Sequence, residues 1–295
     1  MYRLSGVVPA MVTPFCEDSS INEEVFRELV NVYIEAGCHA LGVGGGTGEY
    51  VFMSTEERKQ LIKICMEEVA GRVPVIAGTG CHSTEETIEL SQFADNLGAA
   101  ACLVITPHYN KTNDEGLYQH YKRLNDSVTN VGIVLYNYPD GTNVDISPSV
   151  VHRLAGEKNI IGIKSSTCFD STMKMIHATE DYDNFGVFTG FEGMLVHTLI
   201  SGGTGTYGVV QDIVPKAMVK MYELALSGKI NEAMKLHDKY YKLFDMVYEE
   251  PSPGPVKAAL SMLGFKVGNP RMPILPASDD FLKKMRNAME EMDIL

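Results

Sequence analysis

A lysine closes an apolar segment of the chain, since Lys164 directly follows Ile160-Ile161-Gly162-Ile163. Burial strips an ammonium group of its hydration, and it can lower a lysine pKa from ~10.4 toward ~7–8. The neutral amine that results attacks carbonyl carbons and forms imines. The alternative is a strand-end lysine with a buried stem whose charged head reaches water. The residue type and its position therefore predict either a Schiff-base lysine or a lysine of the rim.

Two further polar groups follow apolar segments in the same way. Tyr136 ends the run Gly132-Ile133-Val134-Leu135, and Thr47 lies in a glycine-rich stretch at 44–48. Taken alone, Tyr136 fits a core aromatic with its hydroxyl at the rim, and the glycines fit a tight turn. Glycines such as Gly46 also let a ligand approach bare backbone N–H groups. Together, the amine, phenol and hydroxyl predict imine chemistry on a carbonyl compound with a proton relay.

Short apolar runs alternate along the chain with longer segments of helical periodicity. This alternation is typical of repeated βα units around a parallel sheet. Eight such units within about 225 residues predict an α/β fold, a closed (β/α)8 TIM barrel, in which the three polar groups would converge on one face. The predicted strands are 7–12, 40–43, 73–77, 100–105, 132–136, 160–164, 187–189 and 204–209.

The helices between the strands begin at recognisable residues. Ser54 with Glu57, and Ser83 with Glu86, both have the spacing of a capping box. An open doubly wound sheet is the alternative fold, but its usual nucleotide fingerprint is missing, because the stretch 42–48 follows the second strand and lacks the third glycine of G-x-G-x-x-G.

The domain organisation predicted from these elements is simple. We expect a catalytic barrel over residues 1–227, and a C-terminal helical extension over residues 228–295 that packs on the barrel.

Composition narrows the classes of partner. The 295 residues have a formal net charge of −13, and no run of five or more Lys/Arg occurs, so we expect no nucleic-acid or acidic-membrane surface. No apolar run approaches the ~18 residues of a membrane span, and the N-terminus lacks a charged region and a cleavage-like site. The six cysteines contain no C-x-x-C pair. We expect a cytoplasmic protein that acts on a small molecule.

Several longer motifs extend these observations over nearly the whole chain. From Leu4 to Lys257 the sequence resembles the dihydrodipicolinate synthase / N-acetylneuraminate lyase family of class I Schiff-base lyases. The most specific matches are 46–49 (Gly-Thr-Gly-Glu), 106–110 (Thr-Pro-His-Tyr-Asn), 115–117 (Glu-Gly-Leu), 135–139 (Leu-Tyr-Asn-Tyr-Pro) and 161–164 (Ile-Gly-Ile-Lys). The resemblance implies a barrel with C-terminal helices, a homotetramer built as a dimer of dimers, and a lysine that forms an imine with pyruvate or a related 2-oxo acid.

The resemblance also implies a role for each site residue. Lys164 would be the Schiff-base lysine and Tyr136 the proton shuttle, with Thr47 linking Tyr136 to Tyr109. The equivalent of Tyr109 in the family reaches into the relay of the neighbouring subunit.

The remaining residues would bind substrate. The 2-oxo acid carboxylate would lie on Gly46 and Thr47, while Tyr207 would offer its backbone carbonyl near the imine. Gly190 and Glu192, after the seventh strand, would complete the site.

The chain departs from the synthases of this family at two positions. Gly46 stands where they have a second Thr or Ser, and Gly141 stands where they have an arginine that holds the carboxylate of aspartate semialdehyde. Glycine cannot replace such a clamp. Glu192 and Asp140 would instead favour a partner with hydroxyl groups. The arginine of a true synthase would then have to be Arg271.

Several functions therefore stand as alternatives. The expected one is a Schiff-base lyase or aldolase acting on a 2-oxo acid, and the rival within the family is 4-hydroxy-tetrahydrodipicolinate synthase itself. A non-catalytic 2-oxo acid sensor would not need the relay. A metal-dependent aldolase would need clustered histidines and carboxylates at strand ends, where only His108 stands. We expect neither a metal nor a cofactor.

Overall fold

The computed structural model describes residues 3–295. Eight parallel strands form one sheet in the order β1-β8-β7-β6-β5-β4-β3-β2. A parallel bridge between Ala10 and Gly42 joins its two ends, so the predicted TIM barrel is confirmed. The strands are β1 Gly6–Pro9, β2 Leu41–Val43, β3 Val75–Gly78, β4 Ala101–Ile105, β5 Gly132–Asn137, β6 Ile160–Ser165, β7 Gly186–Thr189 and β8 Gly205–Gly208.

Every predicted strand is found, and the bounds differ most at the first. The prediction continued β1 to residue 12, but the strand ends at Pro9. Its partner β8 ends at the same level, where Pro9 pairs with Gly208. Beyond Gly208 the chain turns into a helix, so no neighbouring ladder remains on that side for β1 to continue.

Helices cover the outside of the barrel. One of them begins at Thr55 with Ser54 as its N-cap, as the sequence predicts. Both halves of the predicted capping box form there. At Ser83 only one half forms, in which the Glu86 N–H donates to the Ser83 hydroxyl. The Glu86 carboxylate accepts from that hydroxyl and does not reach the Ser83 backbone N–H. The helices of the barrel are α1 Glu23–Glu35, α2 Thr55–Val69, α3 Thr84–Asn96, α4 Asp114–Ser127, α5 Pro139–Thr142, α6 Pro148–Ala155, α7 Phe169–Ala178, α8 Leu195–Ile200, α9 Val210–Ile213 and α10 Pro215–Leu226.

Three helices follow the barrel: α11 Ile230–Met246, α12 Gly254–Met262 and α13 Asp279–Glu291. Helix α11 packs against α8 and α10, α12 against α9, and α13 against α11 and α12. The extension therefore packs against the helices that follow β7 and β8. The boundary between residues 227 and 228 stays a prediction. Within residues 3–295 no helix combines the length and the apolar character needed to cross a membrane.

Candidate active site

The strand register places Lys164 beside Tyr136. The two residues are direct partners on the neighbouring strands β6 and β5, near the C-terminal ends of both. Both side chains are buried, and Lys164 Nζ lies 4.4 Å from the centre of the Tyr136 ring. The predicted pair is thus brought together by the parallel ladder.

Burial shifts the pKa of Lys164 toward neutrality. Loss of hydration lowers the pKa of its ammonium to about 8, and the nearby Glu192 carboxylate opposes this shift. An appreciable fraction of the amine is therefore neutral near physiological pH. Such an amine can attack a carbonyl carbon.

Tyr207 flanks Lys164 on the other side. The centre of its ring lies 4.6 Å from Lys164 Nζ, so the amine is held between two aromatic rings. The Tyr207 hydroxyl points across the barrel toward Gly42, where even a Cβ atom would clash with it. The sequence singled out the backbone carbonyl of Tyr207 near the imine, which stays a prediction, whereas the structure shows that its side chain lines the site.

Tyr136 is buried between one hydroxyl group and one aromatic ring, those of Ser166 and Tyr138. Burial raises the pKa of its phenol to about 12, while the Ser166 hydroxyl beside it acts in the opposite direction. The Tyr138 ring stacks parallel to the Tyr136 ring, with ring centres 6.0 Å apart. A neutral phenol in this position can donate a proton to a substrate oxygen and take it back.

Gly190 leaves the space that Lys164 and Ser166 occupy. A Cβ atom at Gly190 would lie 1.9 Å from Ser166 Oγ and 3.1 Å from Lys164 Cε. Its N–H donates to the carbonyl of Ser165 at 2.8 Å, which ties the end of β7 to that of β6. The predicted site residue Gly190 therefore adjoins the lysine, and a larger residue would crowd it.

Glu192 is buried behind this group, and protein donors occupy its carboxylate. One oxygen accepts from the backbone N–H groups of Val209 and Val210, and the other accepts from the Tyr248 hydroxyl at 3.0 Å. Burial raises the pKa of Glu192. Since Tyr248 is 43 % exposed and Glu192 only 1 %, the pair reaches the solvent through the tyrosine ring, while the Tyr248 hydroxyl is buried against Glu192.

The glycine-rich loop supplies free backbone donors. The N–H groups of Gly46 and Thr47 donate no hydrogen bond within residues 3–295, and a Cβ at Gly46 would meet open space. Gly46 also lines a narrow crevice together with Tyr136 and Arg58. An anion at Gly46 would therefore meet bare N–H groups on the same side of the barrel as the phenol.

The predicted relay is incomplete in the single chain. Thr47 is buried, but Tyr109 is 89 % exposed, and no hydrogen bond within residues 3–295 links either of them to Tyr136. Tyr109 has a φ of +76°, which is uncommon for a residue with a side chain. Because it is exposed, the ring makes few contacts within its own chain.

Several neighbours of the amine were missed by the sequence analysis. Ser166 could have been found, because it lies two residues after Lys164 and so shares its direction on the strand. Tyr138 could have been found in the same way, because it lies two residues after Tyr136, whereas Tyr248, which binds Glu192 from the C-terminal extension, had no such signal. Within residues 3–295 no group of three or more His, Cys, Asp or Glu side chains is arranged to hold a metal ion.

Comparison with known proteins agrees with this geometry. The model of the dihydrodipicolinate synthetase family matches residues 3–292. The chain belongs to this family. The resemblance noted from the motifs is thereby confirmed, and with it the class of the enzyme, a lyase that acts through a lysine Schiff base.

Individual members of the dihydrodipicolinate synthetase family align over the whole chain. The 4-hydroxy-tetrahydrodipicolinate synthase of Thermotoga maritima is 38 % identical over all of both chains, and that of Methanopyrus kandleri is 37 % identical over all of this chain and 98 % of the relative. A crystal structure of the Acinetobacter baumannii dihydrodipicolinate synthase complexed with pyruvate has a TM-score of 0.95 at 35 % identity, covering 99 % of both chains. A prophage protein of this family from E. coli, also in complex with pyruvate, has a TM-score of 0.95 at 29 % identity over 99 % of both chains.

Proposed function

We propose that Lys164 forms an imine with pyruvate or a closely related small 2-oxo acid. The observation that supports this most is the position of its amine, buried between the rings of Tyr136 and Tyr207 with a pKa of about 8. The carboxylate of the acid binds the free N–H groups of Gly46 and Thr47 and the Thr47 hydroxyl.

Imine formation then proceeds in two steps. The neutral amine adds to the carbonyl carbon, and the carbonyl oxygen takes a proton from the Tyr136 phenol to give a carbinolamine. The added nitrogen, now positively charged, returns one proton to the Tyr136 phenolate. Tyr136 then donates that proton to the carbinolamine hydroxyl, which leaves as water and gives the protonated imine.

The protonated imine acts as an electron sink for the neighbouring carbon. Loss of a proton from that carbon gives an enamine, which attacks the carbonyl carbon of an aldehyde and forms a carbon–carbon bond. The reverse path cleaves that bond and releases the aldehyde. The Tyr136 phenolate accepts the proton from the carbon and returns it to the aldehyde oxygen, and hydrolysis of the resulting imine frees the product and the amine.

The second substrate in this proposal has hydroxyl groups where a synthase would bind a carboxylate. At Gly141 the Tyr138 ring already occupies the space of a side chain, since a Cβ there would lie 2.3 Å from Tyr138 Cε1. Hydroxyl-bearing residues surround this region: Ser166 adjoins Lys164 beside Gly190, Tyr138 stacks on Tyr136, and Tyr248 donates to Glu192. Such groups exchange hydrogen bonds with a hydroxylated aldehyde and offer no charge to a carboxylate.

Arg271 is also occupied elsewhere. Its guanidinium donates to the Glu57 carboxylate and to the carbonyls of Phe52 and Ser19. An arginine held in this way is not available as a clamp for the carboxylate of aspartate semialdehyde.

The active unit in this proposal is an oligomer, with a dimer of dimers as the arrangement expected. The exposure of Tyr109 supports it, because a residue of the family relay has no role on an isolated surface. The mass of the purified protein in solution, measured by light scattering, tests this directly.

Borohydride trapping tests the proposed function. Incubation with pyruvate and borohydride should add the mass of one reduced pyruvate adduct per chain at Lys164, and the Lys164→Ala variant should gain none while remaining folded. Trapping that persists in the variant at another lysine, such as Lys257, would refute the assignment.

A coupled assay with pyruvate and aspartate semialdehyde separates the two rivals within the family. We expect normal imine trapping but slow or undetectable condensation, since each missing charged hydrogen bond weakens binding by ~1.5–3 kcal/mol. Efficient condensation would instead establish 4-hydroxy-tetrahydrodipicolinate synthase, the name that the curated relatives bear.

A further inference from the structure

A buried ion pair joins the glycine-rich loop to the C-terminal extension. Lys257, in helix α12, places its Nζ 2.6 Å from Glu49 Oε1, with the two side chains 2 % and 0 % exposed. Lys257 also donates to the carbonyl of Asn269 at 3.2 Å and lies over the Phe15 ring. Glu49 is only two residues beyond Thr47, so the pair reaches the loop that presents the free N–H groups.

A second contact holds the same carboxylate from the tail. Glu49 Oε2 accepts from the backbone N–H of Arg271 at 2.7 Å. The Arg271 guanidinium in turn binds Glu57, in the first turn of helix α2. The loop between β2 and α2 is thus fastened to the tail at its middle, through Glu49, and at its C-terminal end, through Phe52 and Glu57.

The backbone of the loop depends on these contacts. Glu49 has a φ of +62°, in the left-handed region that residues with a Cβ rarely adopt. Its N–H donates to the carbonyl of Gly46 at 2.9 Å, and Thr13 Oγ1 donates to the carbonyl of Gly48 at 2.7 Å. The turn from Gly46 to Glu49 is therefore tight, and a displacement of Glu49 would be transmitted to Gly46 and Thr47.

Stability does not explain why the pair is charged. Taking two charges out of water offsets most of their attraction, and apolar residues of similar volume are often at least as stabilising. An ion pair is directional, whereas an apolar contact is not. The pair with Lys257 therefore fixes the position of one Glu49 carboxylate oxygen. This property suits a loop whose N–H groups must be aimed.

We propose that Lys257 and Glu49 are positioning residues that hold the Gly46–Thr47 backbone in the orientation that binds the 2-oxo acid carboxylate. This inference rests on the proposed function of that loop. It makes the C-terminal extension part of the binding machinery, although no residue of α12 contacts the amine.

The test compares binding with stability in three variants: Lys257→Met, Glu49→Gln and the double variant. For each we would measure the pyruvate concentration that gives half-maximal borohydride trapping at Lys164, the extent of trapping at saturation, and Tm. The control is Lys284→Met, which removes a lysine of the exposed pair with Glu249.

We expect the half-saturating pyruvate concentration to rise roughly ten-fold in all three variants, the effect of losing part of one charged hydrogen bond. The extent of trapping at saturation should match the wild type, because Lys164 itself is untouched. The control should bind pyruvate like the wild type. The single variants leave a buried charge unpaired and should lower Tm, whereas the double variant should recover much of that loss.

The double variant separates positioning from stability. A raised half-saturating concentration together with a recovered Tm supports the inference. A wild-type concentration in the double variant, or in the folded Glu49→Gln protein, overturns it and leaves the pair a purely structural contact. Failure of the proposed function is distinct, since the wild-type protein would then give no adduct at Lys164.

Discussion

Lys164 and Tyr136 are direct neighbours across two parallel strands, and the amine of one lies 4.4 Å from the ring centre of the other. A cation is attracted to the face of a phenol ring, whereas burial disfavours the charged form. Since burial dominates, the amine titrates at about pH 8. The same contact that shelters the amine also holds the phenol ring beside it.

The rate of imine formation should follow the titration of Lys164. Below its pKa of about 8 the ammonium predominates and cannot attack, so the rate should rise about ten-fold per pH unit and level off above pH 8. Initial rates of borohydride-trapped adduct between pH 6 and 10 measure this. A midpoint near 10.5, the ordinary lysine value, would show that the amine is hydrated.

Removal of the Tyr136 hydroxyl should strongly lower the turnover rate and leave the fold unchanged. Tyr136→Phe keeps the ring and should lower turnover by a factor of about 10²–10⁴, the usual contribution of a positioned acid–base group. Steady-state kinetics with a 2-oxo acid aldol substrate measure the loss. Tyr121→Phe is a matched control, because this buried hydroxyl donates only to the carbonyl of Val104.

Tyr109→Phe should lower turnover less than Tyr136→Phe, and only in the assembled oligomer. The reason is that its ring is 89 % exposed and makes no hydrogen bond to Tyr136 within its own chain, so we expect its hydroxyl to serve a neighbouring site. Activity measured across a dilution series, with the mass followed by light scattering, would reveal this. Equal loss in an isolated chain would contradict the shared relay.

Tyr248→Phe should affect the second substrate and spare the first. The variant loses the donor to Glu192 Oε2, and we expect KM for a hydroxylated aldehyde such as glyceraldehyde to rise roughly ten-fold. Half-saturation of pyruvate trapping should not change. Tyr241→Phe, at an exposed ring of α11, is the control, and equal KM values in the two variants would remove Tyr248 from the aldehyde site.

Gly190→Ala should slow imine formation. The new methyl group would push the Ser166 hydroxyl away from Tyr136 and crowd Lys164 Cε, so the trapping rate at saturating pyruvate should fall at least several-fold, by roughly 1 kcal/mol of added barrier. Gly193→Ala is the control, because its Cβ would meet only ordinary contacts, the nearest at 3.7 Å. Similar trapping rates in both variants would argue against this crowding.

Local sequence patterns determined the architecture and the places of Lys164 and Tyr136 within it. Eight apolar runs that alternate with helices close into a barrel when no nucleotide fingerprint favours an open sheet, and a barrel brings the C-terminal strand ends to one face. Lys164 and Tyr136 could therefore be placed together at the ends of β6 and β5, while their roles stay a prediction. The capping box at Ser54 is equally local, because its hydrogen bonds span three residues.

Only the tertiary structure decided what surrounds the amine. Tyr248 meets Glu192 across 56 residues, Lys257 meets Glu49 across 208, and the Tyr207 ring enters the site because Gly42 on a distant strand makes room for it. Such contacts depend on how helices and loops pack. Periodicity reports only whether a side chain faces the core, and it carries no information on which partner that side chain meets there.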